Sequence, residues 1–352
     1  MHETSSNPFN ITFGEEPASL IDRKEEFLKI VSTFESDSPE SKITIITGPR
    51  GCGKTVLLSQ VKHHFDERAD WITADLTQYS NMLEQLAAKL YENGKLKHLF
   101  LKGEFNFSFR GLSFSIRGES PVSNVETLLE RMLGYLKSKG KCVLVTIDDV
   151  ASGDYLRQFI QSYQSFLREK YPLFLLMTGL HENISNLQTT RNLTFLLRAP
   201  KLVLPRLSLR AIALAYRSAL GIDDKRSIDL AKLTNGYAYA YQLVGNALYK
   251  SKSDKLSKAE LDAIDLSLEE NAYSIIWKNM SGEDKKMAYA MLDHAKASDI
   301  MQKLGITNSK YQVYRKRLIN IGIADDSARG SLSFSLPRFK EFVRFQKEIE
   351  DE

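Results

Sequence analysis

The feature that most constrains the fold is a glycine-rich break between two apolar runs, ITIITGPRGCGKTVLL at residues 43–58. The first run is typical of a buried strand and the second has helical periodicity. In that context the spacing GxxxxGK[ST] predicts a loop whose backbone N–H groups wrap around a polyphosphate at a helix N-terminus. A chance glycine turn is the alternative interpretation. The expected nucleotide-binding residues of the loop are Gly48, Pro49, Arg50, Gly51, Cys52, Gly53, Lys54, Thr55 and Val56.

The side chains at the end of this motif have separate expected roles. Lys54 would neutralise phosphate charge, and Thr55 would offer its hydroxyl to Mg²⁺. A second apolar run, CVLVTIDDV at 142–150, ends in two carboxylates and looks like a Walker B segment. Asp148 would hold the Mg²⁺ shell and Asp149 would be the general base for the attacking water. The alternative is that Asp149 only caps a loop or helix.

The first part of the chain alternates strand-like and helical patterns. This order predicts an α/β fold with a parallel sheet flanked by helices, whose ligands bind at the carboxyl ends of the strands. Thr178, at the polar end of the fourth strand, would then lie near the terminal phosphate. The predicted strands are 43–47, 71–76, 142–147, 173–178 and 201–205.

Composition indicates the cellular setting. No apolar stretch approaches the ~20 residues that span a bilayer, and the start, MHETSSNPFN, lacks the pattern of a secretion signal. We therefore expect a cytoplasmic protein with no membrane partner. The two cysteines, Cys52 and Cys142, are too few for a disulfide framework or a thiolate metal site. The net charge of +4 does not by itself indicate a polyanionic partner.

An alternating stretch, GEFNFSFRGLSFSIRG at 103–118, predicts a β-hairpin inserted between the second and third core strands. One face of this hairpin is apolar. That face would either be exposed as an interface for a protein partner or fold down over neighbouring helices.

The C-terminal part changes character. Residues 206–275 are helical throughout, and from 281 the order helix, helix, helix, strand, turn, strand predicts a winged helix-turn-helix. Residues 303–347 hold ten basic and three acidic side chains, so duplex DNA is the expected partner. The alternative is a protein-docking module with a solvated basic face. The expected DNA-binding residues are Lys310, Gln312, Lys316, Arg317 and Arg329.

Together these segments resemble AAA+ ATPases, in the branch that holds archaeal-type and STAND ATPases and origin-recognition-like replication initiators. More narrowly, they resemble a bacterial family of stand-alone ATP-binding proteins with a C-terminal winged helix. The resemblance runs almost end to end. It is carried by NPFNITFG, LIDRKEE, GPRGCGKT, TIDDV, LLMTGL, LTFLLRAP, NGYAYAYQLVG and YRKRLINIGI.

The resemblance implies further roles. Leu20, Ile21 and Arg23 would line an adenine pocket, and Thr178 would be the sensor 1 residue. Arg198 falls where the class places the arginine finger that completes a neighbour's site, which implies a homo-oligomer on ATP binding. A solvated or carboxylate-paired Arg198 is the alternative. The lid segment 236–242 has no sensor 2 arginine, which favours a nucleotide switch over a powerful motor, and its tyrosines are expected to pack the lid.

These predictions define four parts of the chain. The expected function is binding and slow or partner-stimulated hydrolysis of ATP with Mg²⁺, controlling a DNA-binding winged helix. The alternatives are a STAND-like switch that binds a protein partner with little turnover, and a replication or mobile-element initiator. The predicted parts are an N-terminal arm and adenine-pocket segment (1–38), an ATPase core (39–205), a helical lid (206–275) and a winged-helix domain (276–352).

Overall fold

The structure is a computed structural model that describes residues 7–11, 18–94, 96, 105–108, 113–116, 124–326 and 330–351. Contacts divide the chain into two compact units. The core unit is Arg23–Thr47 with Lys54–Val203, and the C-terminal unit comprises the described residues of Met1–Asp22, Gly48–Gly53 and Leu204–Glu352. The glycine-rich loop thus groups with the C-terminal unit, although the residues on either side of it belong to the core unit. The division into lid and winged-helix domains stays a prediction.

The core unit contains the predicted parallel sheet. Its described strands are β1 (Ile43–Thr47), β2 (Trp71–Asp75), β3 (Phe105–Ser108), β4 (Ser113–Ile116), β5 (Cys142–Ile147), β6 (Leu173–Gly179) and β7 (Lys201–Val203). Five of them form one parallel sheet in the order β2-β5-β6-β1-β7, so the predicted α/β class is confirmed. Strand β7 ends at Val203 and not at the predicted residue 205, where Pro205 has no N–H to give to a ladder.

Helices cover the sheet. They are α1 (Lys24–Glu35), α2 (Lys54–Asp66), α3 (Met82–Glu92), α4 (Val125–Ser138), α5 (Asp154–Arg168) and α6 (His181–Thr189), with a 3₁₀ helix at Thr194–Arg198. Every residue of β1 and β6 is buried, which explains why these strands are continuous apolar runs and not alternating ones. Ile147 of β5 pairs with Met177 of β6, so the next residues, Asp148 and Thr178, reach the same edge of the sheet.

The predicted hairpin is present as two antiparallel strands. Phe105 pairs with Ile116 and Phe107 pairs with Phe114, the register that the alternating pattern predicts. The remaining residues of the 103–118 stretch lie outside the described residues.

The C-terminal unit is mainly helical. It begins with α7 (Leu209–Leu220), α8 (Asp224–Thr234), α9 (Ala238–Ser251), α10 (Lys258–Leu268), a π-helical turn (Glu269–Tyr273) and α11 (Ser274–Asn279). The terminal module follows, with α12 (Gly282–Asp293), α13 (Ala297–Leu304), α14 (Asn308–Asn320), β8 (Ala324–Asp325), β9 (Ser333–Phe334) and α15 (Phe339–Asp351). Ser281 and Asp284 form a capping box at the start of α12, as the sequence predicts.

An N-terminal segment completes the core of this unit. The Phe9 ring is buried against Tyr216 and Tyr241, and a Cβ on Gly245 of α9 would overlap it, so only glycine fits at that position. The Gln242 side chain accepts from the Asn10 N–H at 3.0 Å and donates to the Ser19 carbonyl at 2.9 Å. The segment is therefore held to α9 by both packing and hydrogen bonds.

None of the described helices combines the length and the apolar character that crossing a membrane requires.

Candidate functional site

The carboxylate of Asp148 lies at the centre of a polar cluster in the core unit. Thr55, in the first turn of α2, donates its hydroxyl to Asp148 Oδ2 at 2.8 Å. Thr178, fully buried near the end of β6, donates to the other oxygen, Oδ1. Three residues predicted from separate segments of the sequence are therefore in contact.

Asp149 has an unusual backbone. Its φ is +48°, the left-handed region that aspartate tolerates better than most residues. Hydrogen bonds with Thr178 and Gln78 hold this segment. The Asp149 N–H donates to Thr178 Oγ1 at 2.8 Å, and the Asp149 carbonyl accepts from Gln78 Nε2 at 3.0 Å. The Ala151 N–H donates to Gln78 Oε1 at 2.8 Å, so one side-chain amide binds both sides of the turn.

Gln78 was not found by sequence reasoning. It lies in the loop between β2 and α3, and β2 is the sheet neighbour of β5. The only signal available was its place shortly after a strand whose carboxyl end faces the predicted site. A single glutamine in a loop matches no recognisable sequence motif.

The phosphate loop, Gly48–Gly53, has the backbone that the motif requires. Gly51 and Gly53 have φ values of +75° and +97°, a region that disfavours residues with a Cβ. Gly48 also has no room for a side chain, because a Cβ there would lie 2.8 Å from the buried sulfur of Cys52. Lys54 follows as the first residue of α2 and is 9% exposed. Val56, one residue after Thr55, is half-buried.

Within the C-terminal unit, the phosphate loop contacts two elements. Tyr237 donates its hydroxyl to the Arg50 carbonyl, and the Tyr239 N–H donates to the Gly51 carbonyl at 3.2 Å. Pro49 contacts the terminal module, since a Cβ on Gly322 would lie 2.6 Å from Pro49 Cβ. Tyr237 is buried, as expected of a lid tyrosine, but its bond to the loop was not predicted.

The other residues given a role by family resemblance belong to both units. Ile21 is buried in the core of the C-terminal unit and Leu20 is half-buried. Arg23 is buried at the N-cap of α1 in the core unit. Arg198 is exposed at the end of the 3₁₀ helix, where it lines an open pocket of about 580 Å³. The other residues lining that pocket are Gln164, Asn192, Thr194 and Phe195.

The predicted DNA-binding residues of α14 differ in their contacts. Lys310, Gln312 and Lys316 are exposed. Arg317 is also exposed, but it donates to Asp284 at 2.7 Å and to Ser281 at 2.9 Å, so its guanidinium is held at the start of α12. Arg329 lies outside the described residues.

Two further arginines of the terminal module are also paired. Arg315 forms an ion pair with Asp326, and Arg338 forms one with Asp265 of α10. The local excess of basic residues therefore overstates the positive charge available to a ligand.

The donor set fits Mg²⁺ held together with a phosphate. Among the described residues, no group of three or more His, Cys, Asp or Glu side chains could hold a metal by itself. Thr55 and Asp148 supply one hydroxyl and one carboxylate that are already adjacent. Mg²⁺ commonly binds through one or two carboxylates, waters and the phosphates of a substrate, so these two ligands suffice.

The sheet order and the phosphate-loop motif together are those of the AAA+ fold class of P-loop proteins. Residues 20–172 match the family model of an ATPase domain found predominantly in Archaea, and residues 270–343 match a domain of unknown function. Residues 20–172 are therefore similar to an archaeal-type ATPase domain, the class that the motifs predict. No curated protein matches it in sequence.

Two solved structures resemble it over nearly their whole lengths. A Walker-type ATPase of Pyrococcus abyssi has a TM-score of 0.64 at 14% identity, covering 95% of this chain and 99% of the other. The Aeropyrum pernix ORC2 protein, solved in ADPNP–ADP complexes, has a TM-score of 0.53 at 15% identity, covering 97% and 98%. At these identities the likeness shows the fold alone.

Proposed function

We propose that the protein binds ATP with Mg²⁺, hydrolyses it slowly, and uses its nucleotide state to control DNA binding by the terminal module. The observation that carries this proposal is the cluster of Thr55, Asp148 and Thr178 beside a complete phosphate-loop motif. The nucleotides in the A. pernix structure support the same ligand class.

The residues of the cluster have complementary tasks. The loop N–H groups and Lys54 would bind the phosphates, while Thr55 and Asp148 would hold Mg²⁺, which neutralises phosphate charge when bound. Asp149 would accept a proton from the attacking water. Its exposed carboxylate extends from a turn that Gln78 and Thr178 hold in place. Arg198 would act on a neighbouring subunit, which fits its exposure and a pocket lining that includes none of these residues.

Two features of the terminal module favour DNA as the partner. Its order of three helices followed by two strands is that of the predicted winged helix, and α14 exposes Lys310 and Lys316. Lys310 and Lys316 would contact phosphates, and Gln312 would contact a base edge after exchanging its hydrogen bonds to Asn308 and Arg315. The salt bridges of Arg315, Arg317 and Arg338 favour a second candidate, a nucleotide switch whose module binds a protein.

Turnover and salt dependence test the DNA proposal together. The intact chain should release phosphate from ATP, and duplex DNA should change that rate. Lys310→Ala/Lys316→Ala should lower the slope of log affinity against log salt by about 2, because each lost phosphate contact removes about one released counterion. A matched control is Lys250→Ala/Lys258→Ala, which removes two exposed lysines outside the module.

The outcomes separate the two candidates. Equal salt slopes for the two double variants would remove α14 from the DNA interface. Turnover without any DNA binding would favour the protein-binding switch. Absence of turnover in either condition would remove hydrolysis from the proposal.

A further prediction concerns Gln78. Gln78→Ala should lower the turnover number by about 10- to 100-fold, because a misplacement of about 1 Å at a reacting group can cost 100-fold. The ATP affinity should change by less than about threefold, because Gln78 binds only the turn that carries Asp149. Steady-state kinetics and calorimetry measure the two quantities. Gln161→Ala, at an exposed position of α5, is the control. A change in affinity alone would contradict this role.

A further inference from the structure

Two consecutive peptide groups of the phosphate loop are fixed by the start of α9. The Tyr237 hydroxyl donates to the Arg50 carbonyl, and the Tyr239 N–H donates to the Gly51 carbonyl at 3.2 Å. Tyr237 is the N-cap residue of α9 and is only 4% exposed. Burial raises the pKa of its phenol well above the usual value, so the hydroxyl keeps its proton for this bond across the physiological range.

These bonds determine where the loop amides point. In a trans peptide the carbonyl and the following N–H point in opposite directions. A carbonyl of Arg50 held by Tyr237 therefore turns the Gly51 N–H away from the tyrosine. In the same way, the Tyr239 bond turns the Cys52 N–H away from the helix. Successive N–H groups that face one side form the concave anion site of such loops.

The loop has little freedom to turn these peptides on its own. A Cβ on Gly51 would lie 2.9 Å from the Tyr237 ring, so the tyrosine packs directly on this glycine. The Cys52 N–H meets the Pro49 carbonyl at 3.4 Å, a long hydrogen bond that a phosphate oxygen would readily replace.

We propose that Tyr237 is a positioning residue for the phosphate loop: its hydroxyl holds the Arg50–Gly51 peptide so that the Gly51 N–H faces the nucleotide phosphates. The proposal rests on the proposed binding of ATP by this loop. Tyr237 acts through the loop backbone and contacts no phosphate. The lid thereby contributes to phosphate affinity although segment 236–242 has no arginine.

The test compares Tyr237→Phe with Tyr239→Phe in the full chain. Tyr237→Phe keeps the ring and removes only the donor. Tyr239→Phe is the matched control, because the loop bond of Tyr239 comes from its backbone N–H. Calorimetry measures ATP and ADP affinity directly, and adenosine affinity is measured by competition. Tyr237→Phe should weaken ATP and ADP by about 5- to 30-fold and adenosine by less than about twofold. Tyr239→Phe should leave all three affinities within about twofold.

The ratio of ATP to adenosine affinity separates positioning from general structural damage. A residue that only supports the fold would lower all affinities together, which would overturn the proposal, as would unchanged ATP affinity in Tyr237→Phe. A variant with 4-aminophenylalanine at position 237 keeps a donor there and should restore the ratio. If that variant folds with wild-type stability and still loses ATP affinity, the proposal fails. Failure of the wild-type chain to bind ATP would instead remove the proposed function.

Discussion

Lys54→Ala is expected to lower the turnover number for ATP by about 100- to 1,000-fold, the effect of removing one strong electrostatic contact to a transition state. Lys54 is buried at the first turn of α2, directly after the phosphate loop. In the proposed site its ammonium group would contact phosphate oxygens whose negative charge changes during transfer, so turnover should fall more than ground-state binding. Phosphate release under saturating ATP measures this effect.

The control for this variant lies on the same helix. Lys62→Ala removes a lysine of α2 whose amino group pairs with Asp75 at 2.7 Å. It should keep wild-type turnover, since that ion pair includes none of Thr55, Asp148 and Thr178 and no residue of the phosphate loop. Wild-type turnover in Lys54→Ala would show that the measured hydrolysis occurs elsewhere.

Asp148→Asn is expected to lower turnover by about 100-fold and to reduce the dependence of ATP affinity on Mg²⁺. The amide is nearly isosteric and can still hydrogen-bond with Thr55 and Thr178, so the change removes mainly a negative charge. The proposed Mg²⁺ would lose the carboxylate expected to bind it, and Mg²⁺ strongly prefers carboxylate oxygen.

Calorimetric titration of ATP with and without Mg²⁺ measures that dependence. Asp75→Asn is a matched control, because Asp75 ends the neighbouring strand β2 and binds Lys62 and Thr146. Retention of full Mg²⁺ dependence in Asp148→Asn would contradict the assignment of Asp148 to the metal.

The sheet was predictable because each of its strands is a separate apolar run. Burial on both faces leaves an uninterrupted hydrophobic signal, and β1, β5 and β6 appear within one residue of their predicted bounds. In the C-terminal unit, helix-capping residues made helix starts predictable, as Ser281 does for α12. The role of Phe9 could not be predicted, because its partner glycine lies more than 200 residues away and glycine within a helix has no specific signal.

The residues of the candidate site that belong to sequence motifs were predictable. Thr55, Asp148 and Thr178 each follow a recognisable strand or loop, and the structure brings them into contact. Gln78 and Tyr237 hydrogen-bond to backbone groups, through which we propose that they act. Because any backbone carbonyl or N–H can accept or donate, such roles leave no pattern of residue types in the sequence.

Local charge counting overestimated the unpaired basic charge for a related reason. The window 303–347 excludes Asp265 and Asp284, which neutralise Arg338 and Arg317 from other helices. Partners distant in sequence cannot be counted in a window, so the excess of basic residues describes composition and not the field at the surface.

The contact of Pro49 with Gly322 has a thermodynamic consequence. Gly322 lies just beyond α14 and packs against Pro49 of the phosphate loop. A molecule that displaces α14 on binding would therefore also disturb the loop that is expected to bind ATP. Linkage is reciprocal: the factor by which nucleotide alters the affinity of that molecule equals the factor by which the molecule alters nucleotide affinity. Titrating nucleotide in the presence of that molecule, or the molecule in the presence of nucleotide, would therefore yield the same cooperativity constant. This holds even for a chain that does not hydrolyse ATP.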